Sequence, residues 1–193
     1  MKYLLLPIED KANLVNTSLV VDNDLRKQLK VRLANKQTEY YVPLDISEYL
    51  GEHISLLFDG IEEKSVCWES IKEVDTYDRD NIERFRSIFH FSPDYGWMND
   101  PNGMFYKDGV YHLCFQYNPY GSTWENMSWG HATTKDLITW THKPDVLHRD
   151  GFGEIFSGGA IIDKNNDAGF GEGAIIAFTQ MPALAKCSVL LIA

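Results

Sequence analysis

Leu29, Val31 and Leu33 alternate with Lys30, Arg32 and Ala34, the period of two shown by a strand with one buried face. Ser18 to Val21, Tyr40 to Leu44 and Ile54 to Phe58 are further short runs rich in β-branched or aromatic residues, set apart by Asn, Asp, Lys or Gly. These runs predict a small antiparallel, sandwich-like β domain over residues 1–85. Further along, Met104-Phe105-Tyr106 and Val110 to Tyr117 flank Lys107-Asp108-Gly109, and an Asp-Gly step between apolar runs is a strong hairpin signal. Trp129 to Ala132 and Thr139 to His142 form a second such pair across a polar turn. Gly159 to Ile162 and Ala174 to Phe178 form a third across Asp163-Lys164-Asn165-Asn166-Asp167 and a glycine-rich loop. Successive hairpins without helical segments predict an all-β meander over residues 86–193, such as propeller blades or a sandwich.

Between the halves, the stretch Glu73 to Arg86, which holds Asp75, Asp78, Arg79, Asp80, Glu83 and Arg84, lacks apolar periodicity and reads as an exposed connector, which puts the domain boundary near residue 85. The stretch Ala174 to Ala193 carries one charge, Lys186, but Gln180 and Pro182 interrupt it, so it reads as a strand and an irregular tail and not as a membrane span. The opening Tyr3-Leu4-Leu5-Leu6-Pro7-Ile8 is too short for the apolar region of an export signal before Glu9 and Asp10.

Composition narrows the function. Acids outnumber bases 28 to 18 in 193 residues, a net charge of -10, which argues against a phosphate backbone or an anionic membrane as partner. Of 25 aromatic residues, 13 fall between Phe89 and Trp140, so the second half carries the aromatic chemistry. Cys67, Cys114 and Cys187 stand in no zinc spacing and form no disulfide framework, and the six histidines show no ligand pattern. No metal site and no cofactor are expected. His131 reads as a packed strand histidine.

Trp97-Met98-Asn99-Asp100-Pro101-Asn102-Gly103 is the most informative segment. Pro101 biases Asp100 toward an extended backbone, and Gly103 permits close approach. Asn99 and Asn102 offer amide donors and acceptors suited to sugar hydroxyls, and Trp97 offers a flat apolar face. On residue types alone the segment reads equally as a turn.

This segment, followed by Phe115-Gln116-Tyr117-Asn118-Pro119, Trp129-Gly130-His131-Ala132, Asp136-Leu137 with Trp140, and Phe156-Ser157-Gly158, resembles the amino-terminal half of the glycoside hydrolase family 32 catalytic domain. That family includes invertases, inulinases and levanases, and the resemblance runs from about Tyr95 to Phe178. The chain is also similar to members from gut Bacteroides-type bacteria that carry an extra β domain in front. The resemblance implies the first blades of a five-bladed β-propeller, with Asp100 as the nucleophile of a retaining β-fructosidase acting on levan, inulin or sucrose. It places Asn99, Gln116 and Ser157 as hydrogen-bonding contacts to the terminal fructose and Trp124 and Phe156 as apolar walls. It also implies a periplasmic or extracellular site of action.

Members of that family carry an Arg-Asp-Pro motif and a later acid/base glutamate, and neither is expected here, because Arg149-Asp150 is followed by Gly151 and precedes Phe156-Ser157. After Phe178 the sequence ceases to resemble the family, as a frameshifted or misassembled end would. Two readings stay open: a truncated β-fructosidase that is inactive alone, and a non-catalytic carbohydrate-binding protein. A propeller cut after two blades is expected to self-associate through exposed strand edges.

Overall fold

The computed structural model describes residues 2–77, 87, 89–149, 153–181 and 186–192. Strand accounts for 51% of the chain and helix for 4%, so the all-β expectation holds. Two compact units emerge. The first comprises Met1–Glu83 with Asp94–Trp97 and Asn118–Asn126; the second comprises Arg84–Pro93, Met98–Tyr117 and Met127–Ala193. The expected boundary near residue 85, and Asp78 to Arg86 of the expected connector, lie outside the described residues.

Two three-stranded antiparallel sheets build the first unit. One is ordered β4-β1-β6, from β1 (Tyr3–Ile8), β4 (Tyr40–Asp45) and β6 (Lys72–Val74). The other is ordered β3-β2-β5, from β2 (Val15–Val21), β3 (Asp24–Val31) and β5 (Ile54–Phe58). The opening apolar run is thus the central strand β1, which pairs Tyr3 with Asp45 and Ile8 with Tyr40. The supposed connector begins as β6, because Val74 can pair across from Tyr3. Alternation along β2 buries Val15, Thr17, Leu19 and Val21. Leu19 and Val21 meet Leu6, Ile8, Leu29, Val31, Val42 and Leu44 in one core, each such side chain contributing about 1.5 to 3 kcal/mol. Leu33 falls outside β3, in an isolated bridge to Ile8. Among the described residues helix is limited to α1 (Cys67–Ser70) and one 3-10 turn, and no helix is long and apolar enough to cross a membrane.

In the second unit, β7 (Trp97–Lys107), β8 (Val110–Asn118), β9 (Ser128–Thr134) and β10 (Thr141–Leu147) form a four-stranded meander ordered β10-β9-β8-β7. A three-stranded sheet follows, ordered β11-β12-β13, from β11 (Gly158–Asp163), β12 (Ala174–Met181) and β13 (Lys186–Ile192). The expected irregular tail is therefore partly β13, paired from Ile175↔Ile192 to Met181↔Lys186, its backbone taking up the edge of β12. Pro101 and Pro144 sit in the edge strands β7 and β10, where proline is best tolerated, and Pro144 falls within the register shift between Lys143 and Leu147. Cys114, Trp129, Leu147, Ile155 and Ala177 form the core. The aromatic density of the sequence appears as a cluster in which the Phe91 ring lies 5.2 Å from Phe115, 5.4 Å from Trp140 and 5.8 Å from His142. Cys67 and Cys114 are free and buried, and burial pushes the Cys114 thiol up to about 12, which makes it a packing residue.

His131 has a partner that sequence did not show: its Nε2 lies 3.0 Å from His112 Nδ1, and the His112 ring stacks on Phe105 at 4.2 Å. Burial first, then His112, Lys143 and His142, depress His131 to about 4. Burial, then Lys107 and Lys143, lower His112. A histidine depressed in the folded state binds fewer protons there than in the unfolded chain. Its contribution is complete above the unfolded value near 6.5 and is lost as pH falls toward the folded value. Between pH 7.5 and pH 5 this pair should cost about 1 to 2 kcal/mol, discounted for partial exposure. Thermal melts of His131→Asn should show a shallower decline over that range than the wild type; parallel profiles would count against the pair as its source.

Candidate active site

Asp100 lies on edge strand β7, exposed, and Ser157 lies just before β11. Ser157 Oγ donates a 2.8 Å hydrogen bond to Asp100 Oδ2. This contact joins two residues 57 positions apart. It fixes the carboxylate through one oxygen, and only Oδ2 takes part in it. Buried amides flank it along the chain: Asn99 Oδ1, both amide atoms of Asn102, and Nε2 of Gln116 on neighbouring β8 have no hydrogen-bond partner. An unsatisfied buried polar group costs about 1 to 3 kcal/mol, so four such atoms on the two strands are a concentration of polar groups that the fold itself leaves unpaired.

Two packing contacts set this geometry. Gly103 adopts φ 51°, and a Cβ there would stand 2.4 Å from Trp129 Cζ3, so glycine lets β7 lie directly on the indole. Trp129 is fully buried in β9 and its Nε1 donates to Phe156 O at 2.9 Å. Thr179 Oγ1 donates to the same oxygen at 2.6 Å, and Phe156 N donates to Gln180 O at 3.0 Å. The backbone leading into Ser157 is thereby held on three sides.

The structure thus brings Asp100 and Ser157 into contact and places Asn99, Gln116 and Phe156 in the same compact unit. Trp124 belongs to the first unit, as does Trp97, and Trp124 is 47% exposed. Sequence reading missed the support from Trp129, since a strand tryptophan reads only as core, and it missed Arg149, whose Nε donates to Glu154 Oε1 at 2.9 Å. No group of three or more metal-ligating side chains is assembled among the described residues.

Comparison with known proteins gives the family. The profile of the glycosyl hydrolases family 32 N-terminal domain matches residues 90–187, and a profile described as a domain of unknown function, DUF4980, matches residues 1–89. The family match runs on past Phe178 to residue 187, so the resemblance does not stop there. Levanase from Bacillus subtilis (strain 168) is 56% identical over 91 residues, covering 47% of this chain and 13% of the levanase. An extracellular exo-inulinase from Aspergillus awamori is 50% identical over 102 residues, 50% of this chain and 19% of its own length. The chain therefore spans less than a fifth of these curated relatives. Among solved structures, β-fructofuranosidase from Schwanniomyces occidentalis complexed with fructosyl-erythritol shares 34% identity at a TM-score of 0.50, covering 55% of this chain and 23% of that one. With half of its length matched by the family profile, and with an all-β second unit that corresponds to the opening blades of the family's propeller, the chain belongs to glycosyl hydrolase family 32.

Proposed function

We propose that this chain carries the nucleophile half of a β-fructosidase site, for retaining cleavage of terminal or internal fructosyl bonds in levan, inulin or sucrose. Asp100 would attack the anomeric carbon to give a covalent fructosyl-enzyme, later released by water. The observation that carries the reading is the Ser157 to Asp100 hydrogen bond. It orients an exposed carboxylate through one oxygen. Asn99, Gln116 and Ser157 would bind the fructosyl hydroxyls, and Phe156 and Trp124 would supply apolar walls.

Such chemistry also needs a proton donor at the leaving oxygen, worth about 10² to 10⁴ in rate, and a carboxylate that stabilises the transition state. No Arg-Asp-Pro sequence occurs in these 193 residues. Glu154, near Phe156 in the chain, commits Oε1 to Arg149. Incubated with sucrose, inulin or levan, the 193-residue chain should therefore release fructose far below the roughly 10 per second of an ordinary enzyme. Turnover within about a hundredfold of that rate, lost on Asp100→Asn, would show that a local acid completes the site and would overturn the reading of a half-site.

A further inference from the structure

The segment 118–126 connects β8 to β9 inside the family 32 match, yet it packs with the first unit. Four anchors hold it there. Asn126 is buried, at 2% exposure, with its backbone in the left-handed region at φ 51°. Its Oδ1 accepts from Lys30 N at 2.8 Å and its Nδ2 donates to Lys30 O at 2.8 Å, so one side chain pairs with β3 as a neighbouring strand would. The same Nδ2 donates to Asn118 Oδ1 at 3.0 Å. Asn118 in turn accepts from Tyr120 N and donates to Thr123 O, which closes the segment on itself. Ser122 Oγ donates to Asp10 Oδ1 at 2.7 Å, beside the Tyr40 hydroxyl on the same oxygen at 2.6 Å. Glu125 Oε2 meets Lys30 Nζ at 3.4 Å, and the Tyr120 ring packs on the core of the two sheets. Amid these anchored residues, Trp124 is left 47% exposed.

A loop that merely crossed a surface would not place a buried asparagine against both polar groups of one strand residue. We propose that Asn126 is a positioning residue: seated on the Lys30 backbone, it lets the β sheets of residues 1–89 set the conformation of the segment that presents Trp124 to the sugar. The role toward sugar rests on the reading of Trp124 as a substrate wall. On this account the sheets of residues 1–89 shape the segment that carries Trp124, and through it the affinity for a fructan oligosaccharide. The amide is needed because only Asn both donates and accepts within its own length and tolerates positive φ.

The test uses the whole chain labelled with 5-fluorotryptophan, with Trp124→Phe to assign the Trp124 resonance. Asn126→Gly keeps the left-handed backbone at no steric cost and removes the amide. It should raise amide exchange across 119–125 at least tenfold, leave exchange in β2 and β3 unchanged, and shift the Trp124 fluorine signal. Asn126→Asp, which retains the acceptor for Lys30 N–H, should fall between the two. Binding of short levan oligosaccharides, read calorimetrically, should weaken at least fivefold in Asn126→Gly and in Trp124→Ala, with the double variant no weaker than Trp124→Ala, as expected of a residue acting through another. Unchanged exchange and fluorine signal in Asn126→Gly, or additive losses in the double variant, would overturn the proposal. Wild-type affinity in Trp124→Ala would instead remove Trp124 as a sugar wall and Asn126's role toward sugar with it, while the exchange data would still judge the clamp itself.

Discussion

Asp100→Asn, introduced into a catalytically active protein that carries this region, should lower fructose release by about 10³ or more while the fold stays intact. The amide matches the carboxylate in shape and still offers an oxygen to the Ser157 hydroxyl, which donates to Oδ2 at 2.8 Å. What it loses is the anion, and with it the ability to form the covalent fructosyl intermediate. The side chain is exposed on edge strand β7, so neutralising it removes no buried charge and should move the melting temperature by no more than a few degrees. Steady-state rates on sucrose and levan, paired with thermal melts, separate the two effects. Retention of more than a few per cent of activity would dismiss Asp100 as nucleophile. Equal loss of activity and stability would mean that the residue serves the fold.

How far these elements could be read from sequence depended on whether the signal was local. Asp108-Gly109 between apolar runs marked the β7–β8 turn, and both residues do adopt positive φ, 50° and 82°. Asp22-Asn23, at 49° and 69°, forms the same kind of two-residue turn between β2 and β3, although there the polar pair read only as punctuation. Trp97 to Gly103, rich in turn formers, is strand instead: at the edge of its sheet Pro101 is tolerated, and Gly103 is fixed by the Trp129 ring and not by a turn. The site was legible only in part. Asp100 and its flanking amides stood out by residue type and family resemblance. The hydroxyl that orients Asp100 comes from 57 residues away, the His112–His131 pair spans two strands, and Asn126 acts on the backbone of Lys30. Contacts of that range leave no periodicity in a single chain.

Trp129→Ala should destabilise the second unit by about 3 to 5 kcal/mol, the range for emptying a fully buried aromatic site. For a chain of this length that corresponds to a melting-point fall of about 6 to 20 °C. Two terms add here. The ring fills the core with Cys114, Leu147, Ile155 and Ala177, and its Nε1 donates to Phe156 O. Trp129→Phe separates them: it keeps much of the ring and drops the donor, but Thr179 Oγ1 still serves that oxygen, so the loss should stay near 1 to 2 kcal/mol. Gly103 supplies an internal check. A methyl added there would meet Trp129 Cζ3 at 2.4 Å, so Gly103→Ala in the wild type must displace either β7 or the indole, and with it the carbonyl leading into Ser157. In the Trp129→Phe background the atoms it would strike are smaller or gone. Only the cost of alanine at φ 51°, about 1 kcal/mol, should then remain. The double variant should therefore be more stable than the sum of the single losses predicts, by at least 1 kcal/mol in denaturant titrations. Strict additivity, or a Trp129→Ala loss below about 1 kcal/mol, would show that the indole does not carry the strand on which Asp100 sits.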